Sequence, residues 1–211
     1  MDGSPIFTRR ELLKFVTAVG AAVAVPVGVV VAQGPPPAAF GTLTGAEAAT
    51  LEAIVARLIP TDASGPGAAE ARAALYIDRA LGGALAPLRD VYRVGLGLLE
   101  RYTQTSRKAS FAALPPADQD AVLRALETDS AQGFFASSVF FNLVLSHTMQ
   151  GTFGDPYYGG NANFVGWDLI GYPGVRLAVA ADDQRLDARP TPTRQSAYDH
   201  AMFANKKPDA R

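Results

Sequence analysis

Residues 131–150 read AQGFFASSVFFNLVLSHTMQ, the most apolar run outside the N-terminus. Phe134, Phe135, Val139, Phe140, Phe141, Leu143, Val144 and Leu145 fall on nearly every side of a 3.6-residue turn. A helix that is apolar all round belongs in a protein interior. Ser137, Ser138, Asn142 and Ser146 interrupt it too often for a membrane span, which needs about 20 predominantly apolar residues. The run is therefore expected to be the fully buried, central helix of a bundle.

Upstream, four more helices are expected. The first opens at Thr44, with Glu47 at capping-box spacing. It carries the stripe Leu51, Ile54, Val55, Leu58 and Ile59 and ends against Pro60. The second covers 68–81, is alanine-rich with Leu75, Ile77 and Leu81 as bulk, and stops at Gly82-Gly83. The third starts at Pro87, a good first-turn residue, and presents Leu88, Val91, Tyr92, Leu96, Leu99 and Tyr102. Gly95 and Gly97 weaken it and leave room for a neighbouring helix. Phe111 and Leu114 form a short staple before Pro115-Pro116, and the fourth helix, 116–127, shows Val122, Leu123 and Leu126. Strand alternation is scarce and no internal repeat is present.

Downstream the character changes. Residues 151–176, GTFGDPYYGGNANFVGWDLIGYPGVR, carry too many glycines for regular structure. Tyr157, Tyr158, Phe164, Trp167 and Tyr172 still give the segment apolar surface to hold it down. Residues 177–211 are polar, with Pro190, Pro192 and Pro208 and no helical stripe. A compact domain rarely keeps so long a structureless tail. It is expected to be disordered or to order on a partner. The fold class is all-α: a compact bundle of about five helices with an irregular aromatic, Gly-rich loop and an extended C-terminal arm.

The N-terminus carries an address. Thr8-Arg9-Arg10-Glu11-Leu12-Leu13-Lys14 runs into the apolar stretch 15–32, the pattern read by the twin-arginine export route. That route moves proteins already folded, usually around a cofactor. Small residues at Val30-Val31-Ala32 suit cleavage before Gln33; an uncleaved anchor is the other reading. The chain divides into a signal (1–32), a Pro-rich linker (33–43), a helical domain (44–176) and an arm (177–211). Export places it in the periplasm.

Composition narrows the chemistry. There is no cysteine, so disulfides, thiolate-held iron–sulfur clusters, Cys-x-x-Cys-His haem attachment and a lipobox are excluded. A formal net charge of −1 gives no reason to expect nucleic acid or an anionic membrane as partner. The two histidines, His147 and His200, lack metal-site spacing. His147 reads as a hydrogen-bonded core residue or a cation near a helix C-terminus. His200, beside Asp199, reads as solvated. No Gly-x-Ser-x-Gly occurs, and Gly95-Leu96-Gly97 lacks both the third glycine and the preceding strand of a dinucleotide site. Asp155 and Asp168 flank the aromatic loop as a candidate acid–base pair, but Asp155 before Pro156 is equally a turn start.

The loop itself has three readings: stacking on a sugar, packing on its own bundle, or docking a partner protein. The candidate docking residues are Asp155, Pro156, Tyr157, Tyr158, Asn161, Trp167, Tyr172 and Pro173.

Residues 147–161, HTMQGTFGDPYYGGN, and 165–174, VGWDLIGYPG, resemble the gluconate 2-dehydrogenase subunit 3 family. Leu43-Thr44-x-x-Glu47 and the helix ending Leu58-Ile59-Pro60-Thr61-Asp62 are similar as well. The resemblance implies a non-catalytic small subunit with no catalytic, cofactor or metal residues of its own. FAD would sit in a large subunit of the glucose–methanol–choline type that oxidises a sugar, polyol or sugar acid. Haem c would sit in a multihaem cytochrome subunit that passes electrons to membrane quinone. The small subunit would bring the export signal, through Arg9 and Arg10, to the Tat translocase for both chains. The complex would be periplasmic and associated with the inner membrane. The alternatives are a free-standing periplasmic sugar-binding protein or enzyme using the 155–172 loop, and an assembly factor that leaves after export.

Overall fold

Thr44 starts the first helix as its spacing predicts. Its side chain accepts the Glu47 N–H, and its own N–H donates to Glu47 Oε2 at 2.8 Å. In the computed structural model, which describes residues 40–188 and 190–204, helix α1 runs Gly45–Leu58 and stops before Pro60. α2 is Ala73–Gly82, α3 Arg89–Arg107, α4 Pro116–Glu127 and α5 Ser137–Phe153. Two short helices follow, α6 (Val165–Leu169) and α7 (Ala201–Ala204). The described residues hold no strand, only an isolated antiparallel bridge between Asp62 and Gly65. The fold is all-α, a five-helix bundle with appended loop and arm. The signal residues, Arg9 and Arg10 among them, and linker residues 33–39 lie outside the described residues. Among those described, no helix is long and apolar enough to cross a membrane.

α5 is central in that it touches each of α1 to α4. Phe140 sits in its first turn, edge-on to Tyr92 of α3 at 5.9 Å and against Phe134 at 5.8 Å. Its ring fills the space a Cβ on Gly95 would need. Gly95 therefore lets α3 and α5 approach; Gly97 faces open space and has no such role.

The expectation of full burial over 131–150 needs correction. Ser137, Phe140, Val144, His147, Thr148, Gly151 and Thr152 face inward. Phe135 is 75% exposed and Met149 51%. The helix begins only at Ser137, because Ala136 takes a left-handed conformation. Four neighbours do not enclose the whole circumference of α5, so part of its apolar surface stays open. The second helix likewise starts later than expected, at Ala73, after a left-handed Arg72. Pro87 belongs to a short turn that precedes α3.

Polar side chains join the elements at their ends. Asp129 accepts from Ser138 N at 2.8 Å and Ser138 Oγ at 2.6 Å, which caps α5; these bonds hold its carboxyl below the usual range. Arg57 of α1 pairs with Asp120 of α4 through two bonds of 2.7 and 2.8 Å. Asp78 of α2 is 2% exposed and accepts the N–H groups of Gly41 at 2.8 Å, Thr42 at 2.9 Å and Leu43 at 2.7 Å. It fixes the line along which the chain enters the bundle. Asp78→Asn keeps the shape but turns one acceptor into a donor facing an N–H. It should lower stability by about 2 kcal/mol, read as an earlier denaturant midpoint at unchanged slope.

Candidate functional site

The aromatic loop is built on the last two turns of α5. Gly151 lies against α2: a Cβ there would stand 2.9 Å from Ala73 Cα and 2.9 Å from Tyr76 Cδ1. On its other side Gly160 rests on the Gly151 carbonyl, which also accepts the Asn161 N–H at 2.7 Å. Gly166 rests in the same way on the Thr152 carbonyl. The glycines that break regular structure are thus points of backbone contact.

Asn161 is fully buried. Its Nδ2 donates to Gly154 O at 2.8 Å and its Oδ1 accepts from Gly166 N at 2.8 Å. Trp167, 5% exposed, donates through Nε1 to Phe153 O at 2.9 Å. Phe164 at 5.4 Å and Tyr172 at 4.9 Å pack against its ring. Two of the eight candidate docking residues, Asn161 and Trp167, therefore clamp the loop to α5 and present nothing outward. The outer surface carries Tyr158, Tyr172 and Ile170, with Pro156, Tyr157 and Pro173 half-buried.

Asp155 starts the turn Pro156–Tyr158 and accepts the Tyr157 N–H at 2.9 Å, the turn role that Asp-Pro predicts. It does more. Ser196 Oγ donates to Asp155 Oδ1 at 2.7 Å and Ala197 N to Oδ2 at 2.9 Å. Tyr198 places its hydroxyl 2.7 Å from that of Tyr158 and its ring 4.1 Å from that of Tyr157. The shared hydrogen bond, with burial, pushes the Tyr158 phenol up to about 12. Arg194 pairs with Asp168 at 2.6 Å, and Thr193 N donates to Pro173 O at 2.7 Å. The two loop carboxylates are thus each engaged by the arm.

The arm corrects a second expectation. From 193 to 200 it orders on its own chain, across the aromatic loop. Its turn has a local sequence signal: Ser196 and Asp199 are three apart and form a capping box. Asp155, Tyr158, Ser196 and Tyr198 make one polar and aromatic cluster from residues some forty positions apart. His200 is not solvated as expected; its Nε2 is shut off from water without a hydrogen-bond partner.

His147 lies within α5, not at its C-terminus, and is buried. Its Nδ1 is 2.8 Å from the Tyr92 hydroxyl, with the rings stacked at 5.9 Å. Burial pulls the imidazole pKa down and pushes the Tyr92 phenol well up, so both stay neutral. The unfolded chain protonates His147 near its ordinary pKa of about 6.5; the folded chain does so only at lower pH. Unfolding therefore takes up a proton in that window, and stability should fall as pH drops below about 6.5. Thermal melts from pH 7 to pH 5 should show this fall, and His147→Gln should flatten it.

A small apolar void among Ile54, Leu58, Leu123, Leu126, Phe140 and Val144 measures 10 Å³, far below the several hundred a substrate pocket occupies. An open hollow of about 640 Å³ lies around Phe134 and Phe135; its one carboxylate, Asp129, is committed to Ser137 and Ser138. Among the described residues no three His, Cys, Asp or Glu side chains stand together as metal ligands.

The model of the family described as gluconate 2-dehydrogenase subunit 3 matches residues 45–174, well over half of the chain. The chain belongs to this family. The match begins at the first residue of α1 and ends at Gly174, so it takes in all five bundle helices and the aromatic loop and leaves the arm outside. Membership makes the chain a small accessory subunit of gluconate 2-dehydrogenase type, part of an oxidoreductase complex. No curated protein and no solved structure matches it.

Proposed function

We propose that this chain is the non-catalytic small subunit of an FAD-dependent dehydrogenase that oxidises CH–OH groups of a sugar, polyol or sugar acid. It binds a large flavoprotein of the glucose–methanol–choline type in the cytoplasm, stabilises it, and carries it through twin-arginine export. In the periplasm a multihaem cytochrome c subunit takes the electrons and keeps the complex at the inner membrane. The observation that carries this reading is the pair Arg9-Arg10 before an apolar stretch on a chain of the subunit 3 family. A flavin-loaded protein must fold before it crosses. One signal serves two chains if they bind first.

The sequence adds support. It holds no Gly-rich strand-to-helix turn to cradle a dinucleotide phosphate. Obligate interfaces often bury about 2,000 Å² or more, so the large subunit should hold this chain firmly. Co-expression of the two, followed by affinity purification through a tag on this chain, tests the reading. The expected product is a one-to-one complex with yellow flavin absorbance. Recovery of a stable, colourless monomer beside an unbound large subunit would contradict it.

A further inference from the structure

The arm crosses the aromatic loop, yet little apolar burial keeps it there. Among the arm's described residues Ser196 alone is buried, while Leu177, Val179, Leu186 and Met202 are exposed. The hold is made of separate contacts, most of them polar: Ser196 and Ala197 to Asp155, Tyr198 to the Tyr158 hydroxyl and the Tyr157 ring, Arg194 to Asp168, and Arg176 to Asp183 and Thr191 O. Segments with few buried apolar contacts open at low free-energy cost. Among the described residues two side-chain nitrogens are shielded from water without a partner: His200 Nε2 on the arm, and Nε of Arg176, the loop residue whose guanidinium pairs with Asp183 of the arm. Opening would return each to water and relieve a desolvation penalty.

The family boundary sharpens this. The slot residues Asp155, Tyr157 and Tyr158, with Asp168 and Pro173, lie inside residues 45–174, whereas Arg176, which pairs with Asp183 and donates to Thr191 O, lies just outside them. The gripping surface belongs to the part shared with a family of complex subunits; the grip is an addition to it.

We propose that Asp155, Tyr157 and Tyr158 form a docking slot for a capped turn of the large subunit, and that the turn Ser196-Ala197-Tyr198 fills the slot in cis until that segment replaces it. The arm shows what the slot takes: a hydroxyl and a backbone N–H in succession for the Asp155 carboxylate, then an aromatic ring beside Tyr157 and Tyr158. The partner segment is of that chemistry, a Ser- or Thr-bearing turn followed by an aromatic residue. The inference rests on the subunit assignment proposed above.

Hydrogen exchange on the full chain, alone and in complex with the large subunit, reads the exchange directly. The amides of Thr193 and Ala197 should be protected in the free chain and exchange faster in the complex. Equal or slower exchange in the complex would overturn the replacement. Ala197→Pro with Tyr198→Ala loosens the arm from within; proline at the first position of that turn removes the N–H and suits the backbone. This variant should bind the large subunit about fivefold or more tightly, because the competitor is gone; unchanged or weaker binding would instead make the arm part of the interface. Adding Asp155→Ala to it should cost about tenfold or more in affinity, and no loss there would overturn the slot. If no complex forms with any version, the subunit assignment falls as well. A complex that forms while the arm stays protected sinks this inference alone.

Discussion

Gly151→Val should lower the melting temperature by about 10 °C and loosen the aromatic loop from the bundle. The new side chain has nowhere to go. Its Cβ would stand 2.9 Å from Ala73 Cα and 3.0 Å from Ala73 O, both main-chain atoms of α2. Backbone does not swing aside as a long side chain can. α5 cannot retreat either, since Gly160 and the Asn161 N–H rest on the opposite side of the same residue. Overpacking at such a site costs about 3 kcal/mol or more, which at this chain length is about 10 °C. The single tryptophan, Trp167, reports the loop independently, because its Nε1 is bonded to Phe153 O on the last turn of α5. Its emission should shift to the red in the variant. Gly97→Ala is the matched control. That glycine has open space around it inside a helix, so alanine should stabilise by about 0.5–1 kcal/mol. A melting point within 3 °C of the parent for Gly151→Val would contradict the packing described here.

Replacement of Arg9 and Arg10 by lysines should abolish periplasmic dehydrogenase activity while leaving the activity in whole-cell lysate. Lysine keeps the charge but loses the planar guanidinium with its five fixed donors. An address read by a receptor through that geometry is lost, whereas attraction to an acidic membrane surface would survive. On the proposed reading the large subunit folds around FAD in the cytoplasm in either case, so activity should stay there and not vanish. Fractionation of cells that express both chains, with an enzyme assay on each fraction, makes the measurement. Normal periplasmic activity with the lysine pair would show that the flavoprotein travels by another route.

Local signals in the sequence carried most of the bundle. Thr44 and Glu47, Pro60, and Pro116 at the start of α4 are decided within a few residues, and α4 spans 116–127 as its pattern predicts. What periodicity could not give was exposure. A run such as 131–150 looks alike whether neighbours cover all of it or two-thirds, and Phe135 and Met149 turned out to be open. Nor does composition separate an aromatic residue that docks from one that holds its own loop. Trp167 and Asn161 serve the second purpose, through bonds to backbone carbonyls that no spacing rule anticipates. Nothing local marks Asp78, because a lone acid in a helical stripe looks solvated; its three N–H donors lie more than thirty residues upstream. The arm's docking is hidden from local patterns for the same reason. Its capping box was legible at Ser196 and Asp199, but the carboxylate it grips is Asp155.

On the proposed reading the chemistry of the complex belongs to another chain. Purification of this chain alone, and again after co-expression with the large subunit, puts it to the most direct test. Each preparation is assayed for flavin absorbance and for oxidation of sugars, polyols and sugar acids with an artificial electron acceptor. The first preparation should be colourless and inactive, and the second should show flavin and turnover. Turnover of any of these substrates by the chain on its own would contradict that reading.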